Sequence, residues 1–174
     1  MILNWGATAE ERSAALPCDA IAPHAATRAD RAISIAAPPS VTFGWLCQLR
    51  VAPYSYDLLD NAGRRSPRTR DPELTKLAAG QRFMHIFSLA SFAPDEHITL
   101  QTGRVAVTYA VHPAGAATRL HARVLFGGPR AFGWALALGD VVMMRKQLLT
   151  LRGLAEREAA PLLSERPDPT RRSG

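Results

Sequence analysis

Two kinds of hydrophobic repeat, in adjoining segments of the chain, constrain the fold more than any other feature. Between residues 80 and 126, apolar side chains tend to recur at every second position, which is the period of a β-strand. After Gly127-Gly128-Pro129 they recur every three or four residues to about Glu158, which is the period of an amphipathic helix. A helix of that length would measure roughly 43 Å, enough to cross a whole sheet. The sequence therefore predicts a run of antiparallel strands followed by one long helix, with a break left open near Gly139, where Asp140 can cap a second segment.

Two of the predicted strands carry enough pattern to fix how they pair. They cover residues 105–111 and 119–126 and are joined by a turn at 113–116. The register that keeps the two faces distinct sets four residues of each strand side by side on an inner face, namely Val105, Val107, Tyr109 and Val111 beside Leu120, Ala122, Val124 and Phe126. The same register leaves a polar set on the outer face, namely Arg119, His121 and Arg123 with Thr108 and His112.

The residues before these strands predict an arm, a strand and a helix. Thr8 to Glu11 fits a capping box for a short helix that runs to about Leu16 and stops at Pro17. A strand follows over residues 28–36, with Ile33 and Ile35 on one face and Arg31 and Ser34 towards the other. Pro38-Pro39 then opens an amphipathic helix over residues 39–49.

A second short helix is predicted from Tyr56 to about Asn61. Ser55 is interpreted as its N-cap, Asp57 as a favourable charge in its first turn, and Tyr54 against Leu59 as a hydrophobic staple. Further on, residues 83–92 form one β run, Pro94-Asp95-Glu96 a turn, and residues 98–101 an alternating strand.

Composition and length indicate one globular domain. The chain has 174 residues, 47% of them apolar and 21% charged, which is ordinary for a globular protein. We expect an N-terminal arm at 1–25, a domain at 26–160, and a flexible tail at 161–174 that is rich in Pro, Arg, Ser and Asp. The longest uncharged run, residues 32–49, contains two prolines and predicts no membrane insertion, and the first residues lack a signal peptide pattern, so we expect a cytoplasmic protein. The two cysteines, Cys18 and Cys47, predict free thiols.

The net charge of +6 does not by itself predict a nucleic-acid partner. Four arginines lie in the segment from Arg64 to Arg70 and three in the tail, without interleaved aromatic residues and without a nucleic-acid-binding motif. We therefore expect no nucleic-acid partner, and the sequence leaves a homodimer open.

The order of elements favours an α+β protein, and a resemblance extends this interpretation. The sequence resembles the SRPBCC superfamily, also called the START or Bet v 1-like helix-grip fold, and within it an uncharacterised bacterial group that is polyketide cyclase-like. The residues that carry the resemblance span nearly the whole chain in order: Trp5-Gly6-Ala7-Thr8, Glu11, Leu16-Pro17, residues 33–39, 45–49 and 54–57, Asn61, Thr118-Arg119-Leu120, Arg123, and residues 143–149.

The resemblance implies a curved antiparallel sheet that grips the long helix and two short helices after the first strand. It also implies an elongated apolar cavity between sheet and long helix that holds a hydrophobic ligand. The sequence departs from the pattern in two places. Arg50-Val51-Ala52-Pro53 stands where similar sequences have a glycine-rich turn, and an Arg-rich loop replaces one or more strands between Asn61 and Phe83.

The residue pattern offers little for catalysis or metal binding. Ser55 lies in no nucleophile-elbow pattern, and the five histidines are scattered, so we expect neither a Ser-His-Asp site nor a metal or other cofactor. Ligand binding requires fewer specific residues than catalysis, because a pocket needs only apolar walls and a few polar groups. The predicted ligand-binding residues are Tyr54, Tyr56, Ile98, Leu100, Val107, Tyr109, Leu120, Val124, Met144 and Leu148. A filled core without a cavity is the structural alternative.

Three functions remain, in this order. The first is binding of a small hydrophobic ligand such as a lipid, polyketide or isoprenoid. The second is an enzyme of the polyketide cyclase or dehydratase type, in which Tyr109, with Tyr54, Tyr56 or His85, would supply polar groups inside the cavity. The third is a protein- or RNA-interaction module that uses the segment from Arg64 to Arg70.

Overall fold

The two hydrophobic repeats form the two main layers of the protein, a sheet and a long helix that packs on it. The computed structural model describes residues 3–55 and 65–164, with the side chains of residues 130–138 and 163–164 left undescribed. Within this part of the chain the helices are α1 (Ala9–Ser13), α2 (Pro17–Ile21), α3 (Pro39–Cys47) and α4 (Arg130–Ser164). The strands are β1 (Thr27–Ile35), β2 (Arg82–Phe83), β3 (Phe87–Ala93), β4 (His97–Thr102), β5 (Val105–Ala114) and β6 (Ala117–Phe126).

The six described strands make one curved antiparallel sheet in the order β1-β6-β5-β4-β3-β2. The first strand therefore pairs with the last, and α3 and α4 pack against the inner face. This arrangement confirms the predicted α+β helix-grip fold. The described residues from 65 to 81 contain a 3₁₀ turn at Pro72–Thr75 and no strand, in agreement with the shortened middle of the sheet.

The predicted pairing of β5 with β6 is confirmed. Val107 lies opposite Val124, and Tyr109 lies opposite Ala122, so the apolar residues of both strands share the inner face. They enter one core with α3, all of whose residues from Val41 to Cys47 are buried. The second half of α4 contributes a buried stripe at helical spacing: Leu148, Leu151, Ala155 and Ala159.

The outer face has the predicted residues, and the arm covers most of them, while His112 stays exposed. His121 is 1% exposed and Arg123 is fully buried beneath α1 and α2. Arg123 donates to Asp30 and Asp19 and to backbone carbonyls of the arm. Burial alone would raise the pKa of Asp30, but hydrogen bonds from His121, Arg28 and Arg123 hold it well below its usual range.

Two predictions about the arm and β1 need correction. The helix that begins after Thr8 ends at Ser13, and Pro17 opens α2 instead of ending α1, because a helix's first turn needs no N–H from proline. The placement of Arg31 away from Ile33 and Ile35 is wrong. Arg31 has the same parity as both, lies on the inner face, and is 0% exposed.

Two other predicted elements change. The β run over residues 83–92 is two strands, because Met84 and His85 have φ values of 44° and 64° and turn the chain between β2 and β3. The helix α4 continues unbroken through Gly139 and past Pro161 to Ser164. The predicted helix from Tyr56 to Asn61 lies outside the described residues, and so do the proposed roles of Asp57 and Leu59.

Candidate functional site

A cavity of about 290 Å³ lies between the sheet and the first half of α4. Its sheet wall is formed by Val105, Val107 and Tyr109 of β5 and Val124 of β6. Pro53 and Ser55 border it on one side, and the turn between β2 and β3 borders it on another, with Met84, His85, Ile86 and Phe87. The described lining is mainly apolar, as in most small-molecule sites.

The helix contributes four lining residues at positions that share one helical face. Asp140, Met143, Met144 and Gln147 stand at i, i+3, i+4 and i+7, and all four border the cavity. The next residue of this face, Leu148, is already fully buried in the core. The cavity therefore occupies the space where this face of α4 is separated from β5 and β6.

Tyr109 and Gln147 form a buried polar pair at the cavity wall. The Tyr109 hydroxyl donates to Gln147 Oε1 at 2.6 Å, and Gln147 Nε2 donates to the Pro53 carbonyl at 2.6 Å. Burial raises the pKa of Tyr109 above its ordinary value, so this phenol stays protonated and cannot serve as a base at neutral pH. Its proton is engaged by Gln147, while its oxygen retains the capacity to accept a hydrogen bond.

An ion pair joins the helix wall of the cavity to β1. Arg31 Nη1 donates to Asp140 Oδ2 at 2.6 Å. Burial raises the pKa of Asp140, and the Arg31 guanidinium opposes this effect. Arg31 Nε and Nη2 are buried and have no hydrogen-bond partner in the part of the chain that the structure describes. This pair is therefore only partly satisfied, although Arg31 is 0% exposed.

The turn at the cavity border holds two consecutive residues in the left-handed region. Met84 and His85 have positive φ, a conformation that costs non-glycine residues of order 1 kcal/mol or more each. The Met84 N–H donates to the Leu49 carbonyl at 2.8 Å, which fixes the turn against the 3₁₀ turn Gln48–Arg50 that follows α3. Ile86 remains 68% exposed at this border.

The ten predicted ligand-binding residues fall into separate groups. Val107, Tyr109, Val124 and Met144 line the cavity. Ile98, Leu100, Leu120 and Leu148 are 0% exposed and pack in the core. Tyr54 packs edge-on against Trp45 and borders a neighbouring groove, and Tyr56 lies outside the described residues. Part of the predicted pocket is thus filled core.

The sequence interpretation overlooked Asp140 and Gln147 as cavity residues. The sequence pattern predicts Asp140 as a helix cap, and it places Gln147 in the stretch that carries the resemblance without a ligand-binding role. Their spacing relative to Met144 was the available signal, because positions 140, 144 and 147 share one helical face.

Neither metal ligands nor a membrane span are found in the described part of the chain. There, His, Cys, Asp and Glu do not gather in groups of three suited to an ion. No described helix combines the length and apolarity needed to cross a bilayer.

Comparison with known proteins finds similarity at the level of structure. No family model matches the chain, and no curated protein matches it. A crystal structure from Rhodobacter sphaeroides aligns with a TM-score of 0.52 at 17% identity, over 79% of this chain and 95% of that one. A crystal structure from Nitrosomonas europaea aligns with a TM-score of 0.51 at 12% identity, over 78% and 97%.

A solution structure of a Polyketide_cyc-like protein from Corynebacterium glutamicum aligns more weakly, with a TM-score of 0.39 at 16% identity, over 84% of this chain and 99% of that one. Each of the two crystal structures aligns with most of this chain and nearly all of its own. At sequence identities this low, the similarity shows the fold alone. The chain has the helix-grip fold that its resemblance to the SRPBCC superfamily implied.

Proposed function

We propose that the protein binds a small hydrophobic molecule, such as a lipid, polyketide or isoprenoid, in the cavity between β5, β6 and α4. One observation carries this proposal: apolar residues and the buried Tyr109–Gln147 pair together line an internal space of about 290 Å³. That volume is just below the range of about 300–1,000 Å³ that is usual for ligand sites, so it suits a small ligand. Apolar walls favour a hydrophobic body, and a few fixed polar groups orient it.

Filling the cavity tests the proposal. The Val124 side chain points from β6 into the cavity and is 2% exposed, so Val124→Phe should occupy much of the space. We expect calorimetry to detect n-octanol binding to the unmodified protein and at least about tenfold weaker binding to the variant. Native mass spectrometry of the protein as purified should show a bound apolar molecule, and Val124→Phe should lose it.

A matched control separates cavity filling from a general effect of phenylalanine. Val142 lies on the same helix as the cavity residues but is 56% exposed, so Val142→Phe should leave binding unchanged. Met144→Trp provides a second filling variant in case Val124→Phe does not fold, as judged by circular dichroism. An unmodified protein that carries no co-purified molecule and takes up no n-octanol would contradict the proposal.

An acid–base enzyme of the cyclase or dehydratase type is the second candidate, and Asp140 is the observation that favours it. Its carboxyl group borders the cavity, and burial raises its pKa, which brings a carboxyl closer to the range useful for proton transfer. Tyr109 fits a ligand-orienting role better than a base role, because its proton is already donated to Gln147.

Two variants distinguish these functions. For an enzyme that uses either side chain, Tyr109→Phe or Asp140→Asn should reduce turnover of a polyketide-like substrate by about a hundredfold or more while affinity changes little. For a binding protein, both variants should change affinity only, with no turnover in the unmodified protein. If the unmodified protein shows turnover and both substitutions leave it unchanged, the cavity is not the catalytic site.

A further inference from the structure

A second concave surface adjoins the cavity and differs from it in charge. This surface, the cationic groove, encloses about 480 Å³ between the described start of the Arg-rich loop and the middle of α4. Its charged lining residues are Arg68 of the loop and Lys146 and Arg157 of α4. Its floor includes Gly153, where an added Cβ would meet no atom within 4 Å.

The three cations of the groove are not neutralised by the described protein. All three are exposed, and none forms an ion pair with any residue that the structure describes. Nearby Arg70 behaves differently, because it holds Glu158 through three hydrogen bonds of 2.6 to 3.2 Å. Arg157 Nε donates to the Gly153 carbonyl at 2.9 Å, which keeps this side chain along the helix over the open floor.

The groove and the cavity share a border. Ser55 borders both spaces, and neighbouring residues of α4 face each of them, with Lys146 in the groove and Gln147 in the cavity. The two spaces differ in electrostatic character. The described cavity lining contains the carboxyl group of Asp140, whereas the described groove lining contains three cations and no carboxylate.

We propose that the ligand is an anionic amphiphile, with its hydrophobic body in the cavity and its carboxylate or phosphate group in the cationic groove beside Arg68, Lys146 and Arg157. This inference rests on the proposed function and adds the class of ligand to it. The described cavity lining is mainly apolar, and the carboxyl group of Asp140 is already paired with Arg31. The three cations of the groove favour an anion at the border, so the two spaces together favour this orientation. Arginine and lysine without carboxylate partners are suited to carboxylate and phosphate groups.

A pair of probes with equal chains tests the inference. Octanoate and n-octanol differ in one polar group, so calorimetry on the full chain compares an anion with a neutral molecule of similar body. We expect octanoate to bind about tenfold more tightly than n-octanol at low salt, and the difference to shrink as salt screens the exposed charges. Octyl phosphate in place of octanoate shows which anionic group the groove prefers.

Two kinds of variant then separate charge from shape. The double variant Lys146→Glu/Arg157→Glu should lower octanoate affinity about tenfold or more and change n-octanol affinity less than about twofold. Gly153→Leu adds a side chain to the open floor without changing charge. It should also lower the affinity for octanoate while leaving the affinity for n-octanol unchanged. Arg104→Glu is the matched control, because Arg104 is exposed at the β4–β5 turn and borders neither space.

The outcomes keep this inference and the proposed function apart. Equal binding of octanoate and n-octanol, both lost in Val124→Phe, would overturn the anionic ligand and retain the hydrophobic cavity. Octanoate binding that is lost in the charge variant but unchanged in Val124→Phe would overturn the amphiphile, since the anion would then bind without the cavity. A short single-stranded RNA that binds these cations and cannot be displaced by octanoate would overturn it as well. Failure of every probe to bind the unmodified protein would overturn both proposals.

Discussion

The two faces of the sheet each bury an arginine completely, and the two arginines differ in how fully their guanidinium groups are hydrogen-bonded. Arg123, on the outer face, donates to two carboxylates and three backbone carbonyls. Arg31, on the inner face, donates to Asp140 and leaves two nitrogens without a described partner. Both are 0% exposed, so burial alone does not distinguish them.

The contrast distinguishes a face whose polar groups are paired from a face that has an open cavity beside a partly paired arginine. The outer network satisfies its polar groups and fixes the N-terminal arm to the sheet, so it has little capacity left for a ligand. On the inner face, an open cavity and a partly satisfied ion pair lie close together. Buried polar groups that are incompletely paired are costly for stability, and they concentrate at functional sites.

The largest expected effect comes from removing the outer arginine. Arg123→Met should lower the free energy of unfolding by about 3–5 kcal/mol, because Asp30 and three carbonyls of the arm would remain buried without this donor. Urea denaturation measures the change. Arg82→Met, at an exposed arginine of β2, should change stability by less than about 0.5 kcal/mol. Similar effects of the two substitutions would refute the structural role of the outer network.

The opposite result is expected for the inner pair. Arg31→Met combined with Asp140→Leu should leave stability unchanged or raise it by about 1–2 kcal/mol, because a poorly satisfied ion pair is replaced by apolar packing. The same urea experiment measures it. The single variant Arg31→Met should be destabilising, since Asp140 then loses its cation. A double variant that is much less stable than the unmodified protein would show that the inner pair is as structural as the outer one.

The smallest effect concerns the edge of the outer network and depends on pH. Hydrogen bonds from Arg119 lower the pKa of Glu11 from 4.5 to about 2. The folded state therefore binds this proton less readily than the unfolded state, so the stabilisation is present above about pH 4.5 and is lost as pH falls towards 2. Glu11→Gln should cost about 1 kcal/mol at neutral pH and flatten this part of the profile.

Thermal unfolding as a function of pH measures that profile. The exposed neighbour Glu10 forms no ion pair with the described residues, so Glu10→Gln should leave the profile unchanged. If the unmodified protein and Glu11→Gln lose stability equally in acid, the acid-sensitive stabilisation comes from other carboxylates. Asp30 is then the first candidate, because its pKa is also lowered.

Local sequence patterns predicted much of the fold where they repeat over many residues. The alternation in β5 and β6 was long enough that a shift by one residue would have mixed the two faces, so the register followed. The turn at Met84 and His85 could not be predicted in the same way. It uses positive φ at residues other than glycine, which surrounding packing imposes and local preference disfavours.

The candidate site was predicted less well than the fold. The prediction that Arg31 faces away from Ile33 and Ile35 conflicts with the alternation of a strand, which puts residues 31, 33 and 35 on one face. Whether an inward residue lines the cavity or fills the core depends on the distance between sheet and helix. Val124 and Leu120 have the same parity on one strand, yet only Val124 borders the described cavity.

The amino-acid sequence is sufficient to predict the antiparallel strands followed by a long helix, the inner and outer residues of β5 and β6, and the capping of the first helix, because each depends on neighbours within a few positions. The burial of Arg123 by the arm, the contact of Arg31 with Asp140 across 109 positions, and the contact of Gln147 with Tyr109 arise only in the folded protein. These contacts join residues far apart in the chain, and their partners and spacing are set by how the layers pack.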